Sequence, residues 1–477
     1  MKIYKIVIFI FIIIALLALV CVFFPKDGVK IGPFNLRFAG LENVLTNRSQ
    51  EVVEAEIKEA EELKREREEA EAALAAENDS IERQRKLLEM YEQAMQEHVS
   101  RIYFPNDNYE YFNAFYKAAA SAKHDGRTIR VLHYGDSQIE LDRFTSTLRG
   151  YFQSLFGGGG PGLLPVVQSC PTSTVSQWAS DNYTQYATYG TASRDKTKKY
   201  GIMSKYYRVT GSASCSFSRT RATRVRVLLN DRNGLFSATL TGGEVSETLT
   251  CDSVGGFQIL DWDLPSTLNS FRISFSGTAD IYGVMVDAGS GVAVDNVAMR
   301  GNSGTDFTSN DGALLATSYR KTDVAMIILQ YGGNAMPSVG SSEKGVKNYA
   351  ASIGRQIRYL QSIYPNCPIL FIGPSDMSTV VNGIRQSYPM MELMVEELKS
   401  TALSNGAAFW NMFEVMGGKN SMLSWVNKGL AGHDYVHFSP AGAEKISAYL
   451  KEAFETSYKH YLIENGVEFD LSTPANK

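Results

Sequence analysis

Two short polar motifs carry residue types that together could make a serine nucleophilic. A Gly-Asp-Ser motif ends at Ser137, directly after a predicted strand, and Asp434 and His437 lie near the C-terminus. A serine hydroxyl attacks a carbonyl carbon when a base takes its proton, and a carboxylate can hold that base in the required tautomer. An Asp three residues before a His can supply both groups from one loop. The alternative interpretation of the serine motif is a polar turn that caps the next helix.

Two further turns offer hydrogen-bond donors. The segment AsnValAlaMetArgGly ends at Gly301, and a Gly-Gly-Asn motif ending at Asn334 follows a predicted buried strand. An acyl-transfer site must stabilise an oxyanion, and backbone N–H groups at glycine together with an Asn side chain are suited to this. Taken singly, each segment is also an ordinary turn.

The histidines do not indicate a metal site. His433 and His437 have the HxxxH spacing that binds zinc on a helix, but Gly432 and Pro440 indicate a loop, and the chain has no HExxH motif. His133 lies on the predicted strand before the serine and is interpreted as structural. The sequence therefore predicts no metal ion and no other cofactor.

The elements that would position these residues alternate strand and helix. Continuous apolar runs at 324–330 and 368–373 are typical of buried parallel strands, and a further strand is predicted at 128–134. Helices are predicted at 109–124, 142–156, 344–363, 388–404 and 440–458. From about 205 to 290 the hydrophobic period changes to two, which predicts an all-β sandwich or jelly roll inserted into the α/β domain. The glycine run Gly157–Gly160 follows a helix and lacks GK[ST], so it predicts a flexible wall or turn, not a phosphate loop.

In this order, the four segments resemble the blocks of the SGNH, or GDSL-type, hydrolases. The blocks of that family are a Ser in GDS, a Gly in N-x-x-x-x-G, an Asn in G-x-N and a D-x-x-H pair. The resemblance implies a flavodoxin-like three-layer α/β/α sandwich with a parallel sheet, with Ser137 as nucleophile, His437 as general base and Asp434 orienting it. It also implies an oxyanion hole made of the N–H groups of Ser137 and Gly301 and the side chain of Asn334.

The resemblance covers about 100–165 and 291–460 and departs from the family in one spacing. Ser137 and Gly301 are 164 residues apart, wider than the compact spacing of the family. The predicted β insertion accounts for the difference.

A narrower resemblance is to envelope polysaccharide O-acetylesterases, especially peptidoglycan O-acetylesterases with a carbohydrate-binding-like β module between the same blocks. The similar segments are HisTyrGlyAspSerGln, ArgPheThrSerThrLeuArg, the glycine run with Pro161, and GlyGlyLysAsnSerMetLeuSerTrp at 417–425. This resemblance implies a serine esterase that removes O-acetyl groups from peptidoglycan or another envelope polysaccharide through an acetyl-serine intermediate. An acetylated glycan is then the expected partner.

Two alternatives stay open at this point. An O-acetyltransferase would use the same triad but pass the acetyl group to a sugar hydroxyl, with a membrane acyltransferase partner supplying it. Only the exclusion of water from the acetyl-enzyme separates that reaction from hydrolysis. A non-catalytic glycan-binding scaffold is the third interpretation, and the intact Ser, Asn, Asp and His argue against it.

Composition excludes one class of partner. The chain has 477 residues and a net charge of -4, which argues against nucleic acid as the main partner because phosphate binding needs a concentrated basic surface.

Apart from Cys21, the chain has four cysteines, which allow three disulfide connectivities. They are Cys170, Cys215, Cys251 and Cys367, and the pair Cys215 with Cys251 is the most local. Buried thiols are the equal alternative.

The N-terminal part differs from the rest. Ile6–Phe24 has 19 residues without a charge, close to the length that spans about 30 Å of hydrocarbon, so we expect an uncleaved single-pass anchor, N-terminus inside, in the cytoplasmic membrane. The catalytic domain would then be periplasmic or otherwise extracytoplasmic. Residues 51–98 lack Pro and Gly and predict a long helix, a weak coiled coil that either dimerises as a stalk or remains a single solvated helix.

These predictions divide the chain into seven segments. They are a membrane anchor (1–25), a linker (26–48), a charged helical stalk (49–98), the first part of the catalytic domain (99–165), an inserted β-sandwich module (166–290), the second part of the catalytic domain (291–462) and a tail (463–477).

Overall fold

The computed structural model describes residues 3–25, 29–31, 34–36, 49–74, 80–230, 234–251, 256–339 and 342–467. The chain divides into two compact units, residues 1–62 and 63–477, which are described separately. Most of the predicted linker 26–48, and the predicted tail beyond residue 467, lie outside the described residues.

Helices and strands alternate along most of the described chain. The helices are α1 (Ile3–Phe23), α2 (Ser49–Leu74), α3 (Ser80–Glu97), α4 (Asn113–Ala122), α5 (Thr145–Phe156), α6 (Gly312–Lys321), α7 (Met336–Val339), α8 (Glu343–Ile363), α9 (Met391–Ser404), α10 (Met412–Met416), α11 (Ser421–Asn427) and α12 (Pro440–Glu464). The strands are β1 (Val29–Ile31), β2 (Phe34–Leu36), β3 (Ile102–Tyr103), β4 (Thr128–Gly135), β5 (Gly162–Leu164), β6 (Ser176–Ala179), β7 (Tyr183–Ala187), β8 (Lys205–Asn230), β9 (Phe236–Gly242), β10 (Val245–Cys251), β11 (Gln258–Asp287), β12 (Gly291–Ala298), β13 (Val324–Gln330), β14 (Ile369–Ile372), β15 (Ser378–Val381), β16 (Ile384–Ser387) and β17 (Ala408–Trp410).

The N-terminal unit contains α1, the antiparallel pair β1–β2 and the start of α2. The sequence predicts a membrane anchor over residues 1–25, and α1 covers most of that segment. Among the described residues, however, no helix combines the length and apolar character that crossing a membrane requires.

The predicted stalk covers residues 49–98. It contains α2 and α3, while residues 75–79 lie outside the described part of the chain. Leu87, Tyr91 and Met95 of α3 are buried in the same hydrophobic cluster as apolar residues of α12. The three residues recur every four positions and so form one apolar stripe along the helix. For α3 the structure differs from an isolated stalk because this stripe is covered by α12 of the same chain. Dimerisation stays a prediction.

A six-stranded sheet forms the centre of the larger unit. Its order is β12-β4-β13-β14-β17-β3, and all neighbours are parallel except β17 and β3. Numbered along the chain, the five parallel strands have the order 2-1-3-4-5, which is the flavodoxin-like order. The predicted topology is confirmed.

Helices cover both faces of this sheet. Helices α4, α5 and α12 share one hydrophobic cluster with Val131 and Ile328, and helices α6, α8 and α9 share another with Leu132 and Ile327. Successive strand residues point to opposite faces. The continuous apolar runs of β4 and β13 therefore follow from a sheet that is buried on both sides.

Residues 162–287, called the β module below, form an antiparallel sheet between α5 and β12. The first half of β8 pairs with the middle of β11. The second half of β8 lies between the two ends of β11, with one end paired along each of its two edges. Val225, for example, lies opposite both Trp262 and Val286. Trp262 from one part of this pairing and Phe271 from the other share one core, so the long strands bend into two layers around it.

The glycine run at the start of the module is a close-packed turn. The N–H of Val292 donates to the carbonyl of Gly157 at 2.9 Å. A Cβ on Gly158 would lie only 2.3 Å from the carbonyl oxygen of Val292, and the φ of Gly158 is +120°. Glycine is required here because the backbone of β12 approaches so closely. The run forms a turn as predicted, but a tightly packed one.

Buried ion pairs join the β module to the central sheet. Arg130 of β4 pairs with Asp295 of β12 at 2.9 Å and with Asp287 of β11, and Arg226 of β8 pairs with Asp287 at 3.0 Å. All four side chains are buried. Two positive and two negative charges balance in this group, which makes the network tolerable away from water.

We expect Arg130→Met to lower the free energy of unfolding by about 3–5 kcal/mol, because it leaves two buried carboxylates with incomplete compensation. The control is Arg224→Met, which removes a more exposed pair with Asp261 and should cost less than about 1 kcal/mol. Denaturant unfolding of both variants measures the difference. Equal losses would contradict a special role for the buried network.

Candidate active site

The predicted serine lies where β4 ends. Ser137 begins a short turn, and the carboxylate of Asp136 before it accepts a hydrogen bond from the N–H of Gln138 at 2.9 Å. Leu141 and Asp142, at the end of the turn, have positive φ values of 59° and 61°. The carboxyl end of β4 lies next to β13, at the point where the strand order reverses, which is where open α/β sheets place their ligand sites.

The predicted base and its carboxylate share one loop before α12. The Nδ1 of His437 lies 2.7 Å from Oδ2 of Asp434, and Oδ1 of Asp434 accepts from the N–H groups of Val436 at 3.0 Å and His437 at 3.1 Å. Partial burial of Asp434 opposes its ionisation, but these hydrogen bonds outweigh it and lower the pKa of the carboxyl group. Asp434 is therefore an anion at neutral pH, held in place by its own loop.

A side-chain hydrogen bond joins the serine of one loop to the histidine of the other. The Oγ of Ser137 lies 2.7 Å from Nε2 of His437, although the residues are 300 positions apart. Serine, histidine and aspartate thus form a continuous chain of hydrogen bonds. In this arrangement the imidazole can take the hydroxyl proton while the carboxylate stabilises the resulting imidazolium.

The other two predicted residues lie on adjacent turns. Asn334 follows β13, and its Nδ2 donates to the carbonyl of Asn302 at 3.1 Å. Gly301, the residue before Asn302, is exposed with a φ of +75°, and no atom lies within 4 Å of the position that a Cβ would take. Asn334 lines the cleft beside the serine, whereas Gly301 is not part of the cleft lining.

An open cleft lies over the serine and histidine. It is lined by Asp136, Ser137, Gln138, Gln330, Tyr331, Gly333, Asn334, Pro374, Ser375, Met377, Met412, Val436 and His437. The lining combines methionine and proline side chains with hydroxyl and amide groups. A small acyl group and a polar alcohol could both be accommodated by such a surface.

Gln138 is a site residue that sequence analysis missed. Its side chain is buried, and its Nε2 donates to the carbonyl of Val436 at 2.6 Å and to Oγ of Ser375 at 3.2 Å. It thereby ties the turn of Ser137 directly to the loop of His437. The sequence signal was its position next to the serine.

A second missed contact connects the serine turn to the turn that contains Gly301. Arg300 donates from Nε and Nη2 to the two carboxylate oxygens of Glu140, both at 2.6 Å. Arg300 lies in the segment that ends at Gly301, but Glu140 belongs to no motif, so only the fold brings this pair together.

The remaining predictions about polar residues have mixed outcomes. His133 is buried between Gln330 and Thr145, and burial lowers its pKa to about 4, in agreement with a structural role. Within the described residues, no cluster of three or more His, Cys, Asp or Glu side chains is placed to bind a metal ion. The four cysteines after residue 25 form no disulfide in the described structure, so the thiol alternative applies.

No family model and no curated protein matches this chain. Among solved structures, one of a peptidoglycan O-acetylesterase aligns over 73% of this chain and 96% of its own chain, with a TM-score of 0.57 and 23% identity. Two others align loosely. A family two carbohydrate esterase from Cellvibrio japonicus covers 60% of this chain and 99% of its own, with a TM-score of 0.24 and 9% identity. A salicylyl-acyltransferase from a tetracycline biosynthetic pathway covers 59% and 97%, with a TM-score of 0.27 and 9% identity. The first alignment shows that this chain shares its fold with that structure.

Asp136 provides a test of the electrostatics beneath the serine. Its carboxyl group is buried, and burial raises its pKa to about 6. The folded protein therefore holds this proton more tightly than the unfolded chain, and stability falls as pH rises from the unfolded pKa of about 4 towards 6.

We expect Asp136→Asn to remove this loss while keeping an oxygen that can accept from the N–H of Gln138. As the pH rises from 4 to 7, the native protein should lose up to about 3 kcal/mol of unfolding free energy through this group, and the variant should not show this loss. Denaturant unfolding at the two pH values gives the comparison. A stability difference that does not change with pH would contradict a raised pKa.

Proposed function

We propose that this protein is a serine esterase that removes O-acetyl groups from a glycan through an acetyl-Ser137 intermediate. The observation that carries the proposal is the hydrogen-bonded chain from Ser137 through His437 to Asp434, at the edge of an open cleft. The SGNH-like fold supports the same conclusion.

The geometry suggests the following sequence of steps. Nε2 of His437 takes the proton of Ser137 Oγ as this oxygen forms a bond to the acetyl carbon. The carbonyl oxygen becomes an oxyanion, for which the Asn334 side chain and the N–H group of Ser137, both at the cleft, are the donors we assign. The intermediate collapses when the bond to the sugar oxygen breaks and His437 returns its proton to that oxygen.

The second half of the reaction releases the acetyl group. His437 takes a proton from a water molecule, which attacks the acetyl-serine carbonyl. The bond to Ser137 Oγ then breaks, the proton passes back to Oγ, and acetate leaves. Transfer to a sugar hydroxyl would use the same steps with the hydroxyl in place of water, so the two reactions differ only in the acceptor.

The substrate class we propose is O-acetylated peptidoglycan or another envelope polysaccharide. The support is the similarity of fold to a peptidoglycan O-acetylesterase over most of both chains. Such a polymer lies outside the cytoplasm, and we propose the same location for the catalytic domain.

We expect Ser137→Ala to lower kcat for acetate release from an aryl acetate and from O-acetylated peptidoglycan by roughly 10⁴-fold or more, since it removes the nucleophile. The matched control is Ser362→Ala on the exposed side of α8, which should retain native rates. Acetate release that persists in Ser137→Ala would contradict the assignment. Acetyl groups that appear on an added glycan, instead of free acetate, would favour the transferase.

We expect Asn334→Ala to lower kcat by roughly 10²–10³-fold with a much smaller change in KM, because an oxyanion donor acts on the transition state. Asn334→Asp, which keeps the size but replaces the donor with an acceptor, should be at least as impaired. Steady-state kinetics on the aryl acetate measure both constants. A rise in KM with unchanged kcat would contradict the oxyanion role and make Asn334 a substrate-binding residue.

A further inference from the structure

A second cavity, called the seam cavity below, lies between the β module and the central sheet. Its walls come from β5, β6, β8 and the loop 165–175 on one side, and from β12 and the end of the Ser137 turn on the other. It shares no lining residue with the cleft over the serine. The mechanism above does not use it.

Lys205, at the start of β8, is the unusual residue of this cavity. It is only 2% exposed, and its Nζ donates to Oγ of Ser169 at 2.6 Å. Among the described residues, no carboxylate lies within ion-pair distance of it. Burial lowers the pKa of Lys205 to about 8, so the amine is still mostly charged at neutral pH. A buried ammonium without an anion is costly, which makes its position informative.

The acidic residues near the cavity are already engaged. Asp142, which lines it, pairs with Arg149 at 2.5 Å and accepts a hydrogen bond from Thr174. Glu140 pairs with Arg300 at 2.6 Å. The cavity therefore retains the single positive charge of Lys205.

The cavity offers hydrogen-bond donors besides this charge. Lys205 retains two N–H bonds after its contact with Ser169. The hydroxyl oxygen of Thr172 accepts from the N–H of Thr174 at 3.3 Å and keeps its own hydrogen to donate. A carboxylate accepts hydrogen bonds only and carries one negative charge, so it matches both the donors and the charge.

The loop that forms this cavity also holds the nucleophile turn. The N–H of Leu141 donates to the carbonyl of Pro171 at 3.0 Å, and Oγ of Ser173 donates to the carbonyl of Leu141 at 2.7 Å. Asp142 lines the cavity and is five residues from Ser137. The two Cα atoms are therefore at most about 18 Å apart. A short stretch of one glycan chain can reach both places.

We propose that the seam cavity binds a carboxylate group of the glycan substrate through Lys205, while the acetyl group lies at Ser137. This inference rests on the proposed function for its ligand. It defines the substrate class as an acidic glycan whose charge is carried by the sugar or by an attached peptide. It also gives the β module a role in substrate selection, since Lys205 belongs to β8.

Direct binding to the full chain tests this proposal without any turnover. Titration calorimetry compares N-acetylmuramic acid with its methyl ester, which differs only in lacking the charge. We expect the acid to bind at least 10-fold more tightly than the ester, and this preference to be lost in Lys205→Met. Lys196→Met, which removes an exposed lysine of the β module, is the matched control and should retain the preference.

The other outcomes decide between the proposals. Equal binding of acid and ester, or no binding of either at millimolar concentration, would overturn the carboxylate site even if acetate release is observed. An unchanged preference in Lys205→Met would also overturn it. Preferential binding of the acid in a protein that releases no acetate would instead overturn only the esterase.

Two additional measurements complete the test. Lys205→Gln checks that loss of the preference follows loss of the charge, and both variants should melt no lower than the native protein because they remove a buried unpaired ammonium. Titration with glucuronic acid and with an N-acetylmuramoyl peptide identifies the source of the carboxylate. Loss of folding in both variants would indicate a structural lysine and contradict the proposal.

Discussion

The hydrogen bond between Ser137 and His437 is the contact on which the rest of the site depends. It is 2.7 Å long and joins residues 300 positions apart, so it exists only while two separate loops are held in register. Gln138 provides that register by donating to the carbonyl of Val436, one residue before the histidine. Asp434 completes it by using both oxygens on its own loop. The catalytic geometry is therefore built from short loops that are fixed to each other and to the ends of parallel strands.

The β module can be inserted without disturbing the central sheet because the chain leaves the sheet after β4 and returns to it as the neighbouring strand β12. Parallel pairing of β12 with β4 requires the chain to return beside the strand that carries the serine. The buried pairs of Arg130 with Asp287 and Asp295 hold this point, since they join both strands to the end of β11. The loop 165–175 of the module is hydrogen-bonded to the end of the Ser137 turn. This placement puts Lys205 in the cavity between the module and the sheet.

Sequence patterns predicted the parts of the fold whose physics is local. The apolar run at 324–330 became β13 with the same bounds, and the polar motifs at Ser137 and His437 followed from the chemistry of serine activation. The surface that covers the apolar stripe of α3 was not predictable, because the same residues can pack against a second copy of the chain or against another helix of the same chain. The burial of Lys205 was not predictable either. A lysine at the start of a strand is usually exposed, and only the packing of two domains against it makes it buried.

The central claim, that Ser137 is acylated during turnover, is tested most directly by mass spectrometry of the protein quenched during reaction with an aryl acetate. We expect one acetyl group on the peptide that contains Ser137, absent from Ser137→Ala and lost from the native protein once the ester is consumed. Acetate release without any acetylated Ser137 peptide, under conditions where breakdown of the intermediate limits the rate, would contradict the account. An acetyl group on a different serine would contradict it equally.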